Sequence, residues 1–184
     1  MFRFEDYERL GNESELPGLL GAIDRYAEQS WQNYTRENKE KKAKVLERDL
    51  RTLIRQMALP ATATSSTVSR PINKDLYATT RSRQSLVELL VNDRLLVATS
   101  YDGHVWLRPC HDALLRHWKR ADQQIAVDLN HLRWRESLRQ MAVHWQSAEN
   151  RRKDHLDLPA ASLAGALSLH KEFGNDLNLS LIHI

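Results

Sequence analysis

Cysteine, histidine and aspartate stand in succession at Cys110, His111 and Asp112. A thiol, an imidazole and a carboxylate could activate a nucleophile, move a proton or hold a metal ion. The spacing works against nucleophilic catalysis, because successive residues at the end of a strand point to opposite faces. It works against a metal site too. His111 and His117 are six residues apart, which puts them on different sides of a helix. Cys110 is the only cysteine, so no thiolate pair supports them. That leaves His111 as a hydrogen-bonding group at a strand-to-helix junction. Backbone N–H groups at a helix start favour an anion, and an imidazole there adds one donor. A purely local structural role is the alternative.

Other chemistry is absent from the pattern. None of the six glycines is followed by lysine, so no P-loop cradles a triphosphate. Leu19 to Asp24 is an apolar run ending in aspartate, but its glycines and helical spacing make it ordinary helix. No G-x-S-x-G elbow and no paired carboxylates stand out. By itself this chain reads as no enzyme, with no cofactor of its own.

A DNA-reading helix would be sought at Arg81 to Arg94. It offers Arg81, Arg83, Gln84, Asn92 and Arg94, but also Glu88 and Asp93, and much of it is leucine and valine. A reading face should be polar and basic along its length, and the adjoining hairpin adds only His104 and Arg108. The net charge of +3 comes from basic residues dispersed among acidic ones. Nucleic acid is therefore the weaker expectation, and a DNA-binding winged-helix regulator is the rival reading.

The elements that position His111 follow from periodicity. Apolar residues at Leu19, Leu20, Ile23, Tyr26, Ala27, Trp31 and Tyr34 predict a helix starting near Glu15, with Pro17 in its first turn. A second helix is predicted over Arg36 to Leu59, with Ala43, Leu46, Leu50, Leu53, Ile54 and Met57 inward. Its outer face takes the basic residues with Glu47 and Asp49, and Glu47 and Arg51 are spaced for an i,i+4 pair. Pro60 ends it, and Ala61 to Ser69 reads as a hydroxyl-rich surface loop. Arg70-Pro71-Ile72 should be extended, followed by a short helix at Lys74 to Thr79.

Ser82 to Asn92 reads as a helix with Leu86, Val87, Leu89 and Leu90 inward. Leu95 to Thr99 and His104 to Arg108 flank Asp102-Gly103, a strong hairpin signal. Asp112 is the expected N-cap of the next helix, whose inner face is Ala113, Leu114, Leu115 and Trp118. Further helices are predicted at Asp128 to Glu149 and Pro159 to Lys171. The fold class is mainly α with a small β-hairpin wing: a winged-helix domain flanked by helical-bundle segments.

A single cysteine permits no intrachain disulfide and suits a reducing cytoplasm, the expected localisation. No stretch approaches the roughly 20 apolar residues needed to span a bilayer.

The run from Leu90 to Trp118 (LVNDRLLVATSYDGHVWLRPCHDALLRHW) resembles the winged-helix segment of the novel STAND NTPases, bacterial signalling ATPases. It combines Asp93-Arg94-Leu95-Leu96-Val97, the hairpin, and the octet His111 to Trp118 in order. Leu16 to Trp31 is similar to the helix after that family's ATPase core, and Leu163 to Asn178 to its downstream helices. The loop at Ala61 to Ser69 and Lys119, where the family often has proline, depart from the pattern. Cys110-His111-Asp112 is also similar to the Met-His-Asp motif of related nucleotide switches, whose histidine contacts the β-phosphate of ADP. The resemblance implies that His111 senses phosphate, that Asp112 orients the loop or caps the helix, and that Cys110 replaces a packing methionine. It implies an ATPase core in cis supplying the P-loop, with ATP or ADP and Mg in the intact parent, and a homo-oligomer of that parent.

The expected organisation is a helical segment at 1–59, a winged-helix domain at 60–121 and a C-terminal helical segment at 122–178. Leu179 to Ile184 (LSLIHI) resembles a translated sequencing adapter. The chain thus reads as a regulatory fragment coupling nucleotide state to domain rearrangement.

Overall fold

The computed structural model describes residues 18–38, 43–60 and 67–147, with 164–165, 167–168 and 170–171 farther on. These residues are mainly helical with two small antiparallel sheets. The chain divides into two units, Met1–Ala126 and Val127–Ile184. The predicted start near Glu15 and the tail at Leu179 to Ile184 lie outside the described residues, as does most of Pro159 to Lys171.

The first unit opens with α1 (Gly18–Glu37), whose Ala27, Trp31 and Tyr34 are buried. Tyr26, expected inward, is half exposed. It neighbours Ala27 in sequence and so lies about 100° around the helix from it. Helix α2 (Ala43–Met57) buries Leu46, Leu50, Leu53, Ile54 and Met57 as expected, and Arg51 Nε lies 3.5 Å from Glu47. Two expectations fail here. Arg36 and Glu37 complete α1 instead of opening α2. Asp49 is among the most buried residues and not on the outer face.

The helix also stops three residues before Pro60. Ala58–Pro60 forms β1, paired antiparallel with β2 (Thr67–Ser69) in the register Ala58 to Ser69. The predicted loop therefore ends in a strand, while 61–66 lie outside the described residues. Proline drives Leu59 out of helical backbone, and the β-branched Thr67 and Val68 suit an extended partner. Arg70 closes the open end of α2, its backbone N–H donating to Met57 O at 2.8 Å and its Nε to Gln56 O at 2.6 Å.

Strand β3 (Ile72–Asn73) leads into α3 (Lys74–Tyr77), capped by Asn73 Oδ1, which accepts from the Asp75 and Leu76 amides. Thr80 caps α4 (Arg81–Asn92), accepting from the Arg83 amide. Leu86, Val87 and Leu90 are buried. The chain then leaves α4 through Arg94, at φ 56. Strands β4 (Leu96–Tyr101) and β5 (His104–Pro109) form the predicted hairpin. Asp102 and Gly103 have φ of 51 and 74, the left-handed pair that a two-residue turn needs. Strand β3 adds to β5, Ile72 opposite Leu107, giving the order β3-β5-β4.

Helix α5 (Ala113–His117) follows, with Ala113, Leu114, Leu115 and the succeeding Trp118 all buried. Trp118 is extended (φ −75, ψ 106), and α6 (Lys119–Ser147) begins directly after it. The helix predicted from Asp128 thus starts nine residues earlier. Ala121, Ile125, Asp128 and Leu132 are all buried at helical steps, but the charge at Asp128 breaks the apolar pattern.

Within the second unit, Arg139 is paired to Glu136 on α6. Gly165 sits against the Trp134 ring, where a Cβ would approach to 3.0 Å.

Candidate functional site

The strand-to-helix junction is built by two local contacts, one across the hairpin and one to a distant strand. The Cys110 amide donates to Leu95 O at 3.0 Å, so the residue after β5 stays tied to the start of the hairpin. The Leu114 amide donates to His111 O, opening α5. The His111 ring turns back over this helix start: its Nδ1 accepts the Ala113 N–H at 3.0 Å. An acceptor Nδ1 carries a lone pair, so the ring proton of neutral His111 resides on Nε2. The residue is exposed, and Nε2–H is its remaining donor.

Asp112 does something other than expected. It occupies the N-cap position, but its side chain makes no capping hydrogen bond. Its Oδ1 instead accepts the Ser69 N–H at 3.3 Å and the Ser69 hydroxyl. The capping expectation is corrected: the imidazole caps, and the carboxylate ties the junction to β2. Ser69 was not singled out by sequence, where it is one hydroxyl among many. Cys110 is exposed.

A second cluster joins α1, α2 and the α5–α6 joint. Glu28 accepts from Arg120 Nη2 at 2.7 Å, from Arg120 Nε at 3.1 Å and from Trp118 Nε1 at 3.1 Å. Arg120 also reaches Glu47 at 3.4 Å and stacks 5.6 Å above the Trp31 ring. The Lys119 amide donates to Asp24 Oδ1 at 2.8 Å, satisfying a free N–H of the first turn of α6. Burial pushes the Glu28 carboxyl up, but the Arg120 and Trp118 hydrogen bonds outweigh it, so Glu28 titrates below the ordinary glutamate value. The Glu28 hydrogen bond in turn holds Arg120 above its usual value.

Two of the residues on which DNA reading would depend, Arg83 and Gln84, are employed elsewhere. Arg83 Nε pairs with buried Asp49 at 3.3 Å, and its guanidinium lies 5.2 Å over the Tyr77 ring. Tyr77 donates to Asp49 O at 2.7 Å, and Tyr34 to Ser82 O at 3.0 Å. Gln84 Nε2 donates to Ala78 O. The exposed positions of α4 are Arg81, Gln84, Glu88 and Asn92, which carry one charge of each sign. Such a surface provides little attraction for a phosphate backbone.

Among the described residues, no helix is long and apolar enough to cross a membrane. No group of three or more His, Cys, Asp or Glu residues there is placed to hold a metal ion.

Neither a curated protein nor a solved structure matches the chain. The family model for Novel STAND NTPase 1 matches residues 2–153. That match takes in the whole stretch from α1 through α6, the hairpin and the His111 junction included, and the chain therefore belongs to the Novel STAND NTPase 1 family.

Proposed function

We propose that this chain is the nucleotide-state-sensing winged-helix region of a STAND-type signalling NTPase. It would couple the ADP or ATP state of a catalytic core in cis to domain rearrangement and oligomerisation. The observation that carries the reading is the orientation of His111. Its Nδ1 is occupied by the Ala113 N–H, so Nε2–H is the donor left for a ligand at an exposed position. Asp112, fixed on Ser69, orients the junction. The order β3, α3, α4, β4, β5 after α2 and the β1–β2 ribbon, with sheet order β3-β5-β4, supports reading the surrounding fold as a winged helix.

In this reading His111 donates to a phosphate oxygen of ADP, while the P-loop and Mg belong to the core. A hydrogen bond to a charged group contributes roughly 1.5–3 kcal/mol. Made only in the ADP state, it biases a closed-to-open equilibrium by about ten- to a hundred-fold. Exchange to ATP removes that bias. The test is His111→Ala in the intact parent, with ADP retention and signalling output both measured. We expect ADP loss to accelerate by about that factor and signalling to become constitutive. Unchanged retention with unchanged output refutes the assignment.

A further inference from the structure

We infer that the break between α5 and α6 at Trp118 is a hinge imposed by α1 through Asp24 and Glu28, and that without these carboxylates α5 and α6 join into one helix. Nothing in the local sequence stops a helix there. From Ala113 to Ser147 there is no proline and no glycine, the residues at which sharp kinks ordinarily arise. The hydrogen-bond ladder is intact on both sides of the break. The Trp118 amide donates to Leu114 O at 3.0 Å, and the Asp122 amide donates to Trp118 O at 3.0 Å. Trp118 has a helix-compatible φ of −75, and only its ψ, 106, departs from the value of about −42 of a continuous helix. That rotation carries the Lys119, Arg120 and Ala121 amides away from the carbonyls four residues earlier. Three backbone bonds of a continuous helix are thereby given up.

What holds the torsion comes from α1. Asp24 Oδ1 takes the Lys119 N–H, one of the three displaced amides, at 2.8 Å. One turn farther along the same face of α1, Glu28 takes the Trp118 indole N–H and two Arg120 N–H groups. The three residues at and after the break, 118, 119 and 120, are thus each held by a carboxylate of α1. Burial of Ala121 and Ile125 favours the same path, and packing alone is the rival account of the break. Packing, however, requires no answer to a particular amide, whereas Asp24, ninety-five positions away, answers one that only the break exposes. Helix α5 begins at the His111 junction, and α6 continues past Ala126, where the first unit ends. A hinge between them lets a displacement of α1 change the direction of α6 relative to α5. This rests on hydrogen-bond geometry and is independent of the sensing reading above.

The test uses the double variant Asp24→Ala/Glu28→Ala in the 184-residue chain, with the same pair carrying Lys119→Pro as its control. The readouts are the ¹³Cα and ¹³C′ shifts of Trp118, which follow its ψ, and hydrogen exchange of the Arg120 and Ala121 amides. Wild type should show a non-helical Trp118. The double variant should move Trp118 to helical values and slow both amides by roughly ten-fold, the scale of one gained hydrogen bond. Adding Lys119→Pro should return Trp118 to its wild-type shifts. Proline disfavours helical backbone in the residue before it and fits the first position of a helix, whereas it would not reverse local unfolding. A double variant in which Trp118 keeps its wild-type shifts overturns the inference in favour of Ala121 and Ile125 packing. Random-coil shifts that the proline leaves unchanged overturn it as well. Should the double variant fail to fold, Asp24→Ala alone decides: movement of Trp118 part of the way to helical values supports the hinge, and unmoved shifts overturn it.

Discussion

Removing the Glu28 carboxylate should destabilise the first unit by about 2–3 kcal/mol, although the residue sits near no candidate ligand. Glu28→Ala deletes the acceptor of two Arg120 N–H bonds, at 2.7 and 3.1 Å, and of the Trp118 indole N–H at 3.1 Å. A buried hydrogen bond to a charged group contributes about 1.5–3 kcal/mol. The Glu28 and Arg120 side chains are 29% and 33% exposed, so solvent screening reduces each bond to about 1 kcal/mol. Arg120 keeps Glu47 and the Trp31 ring, which limits the loss. Glu28→Gln retains an acceptor for one donor and should cost about 1 kcal/mol. A double-mutant cycle with Arg120→Ala should return a coupling of about 1–2 kcal/mol. The assay is urea unfolding with linear extrapolation, m unchanged. Acid adds an independent check. Because Glu28 titrates below the ordinary value of 4.5 in the folded chain, its contribution is fully present above that pH. It fades as pH falls through the folded value. Glu28→Ala should therefore lose its disadvantage in acid. A variant within about 0.5 kcal/mol of wild type at neutral pH, or a coupling near zero, refutes the reasoning.

Substitutions at Arg83 and at Gly103 probe how α4 and the hairpin are held. Arg83→Met strands the Asp49 carboxylate, 1% exposed, with only Arg48 at 3.7 Å. It should cost about 3–5 kcal/mol in urea unfolding, and adding Asp49→Asn should recover much of that. A cost below about 1 kcal/mol would show that Arg83 is free to act elsewhere. Gly103→Ala meets nothing within 4 Å, so its penalty is purely that of φ 74, about 1 kcal/mol. Gly103→Asn should be milder, and thermal melts separate the two; equal losses would point to sterics instead.

The hairpin and the apolar faces of α2, α4 and α5 follow from local chemistry, which is why periodicity and Asp102-Gly103 sufficed to place them. Boundaries failed where an element answers to a distant partner. Pro60 takes Leu59 out of the helix, but α2 ends already at Met57, where Ala58 pairs with Ser69 across a connection, and no local signal carries that pairing. Asp49 looked like a solvent-facing charge because its counterion, Arg83, is thirty-four positions away. Asp128 masked the single run of α6 because a charge is read as surface, although the residue is buried. The Glu28 cluster was invisible for the same reason: ninety or more positions separate Glu28 from Trp118 and Arg120.

The junction carries this logic one step further. Judged by side-chain chemistry alone, Asp112 outranks His111 as a cap for α5, since a short carboxylate reaches the first amides of a helix with little loss of freedom. A tertiary contact reverses the ranking: Ser69 offers two donors to the same oxygen, one of them a fixed backbone amide. The imidazole separately accepts the Ala113 N–H, and that contact determines which ring nitrogen carries the proton. Local preference and long-range contact thus pull Asp112 in opposite directions. A position balanced in this way responds to the placement of β2, and through Arg70 to the end of α2, rather than to the helix it begins.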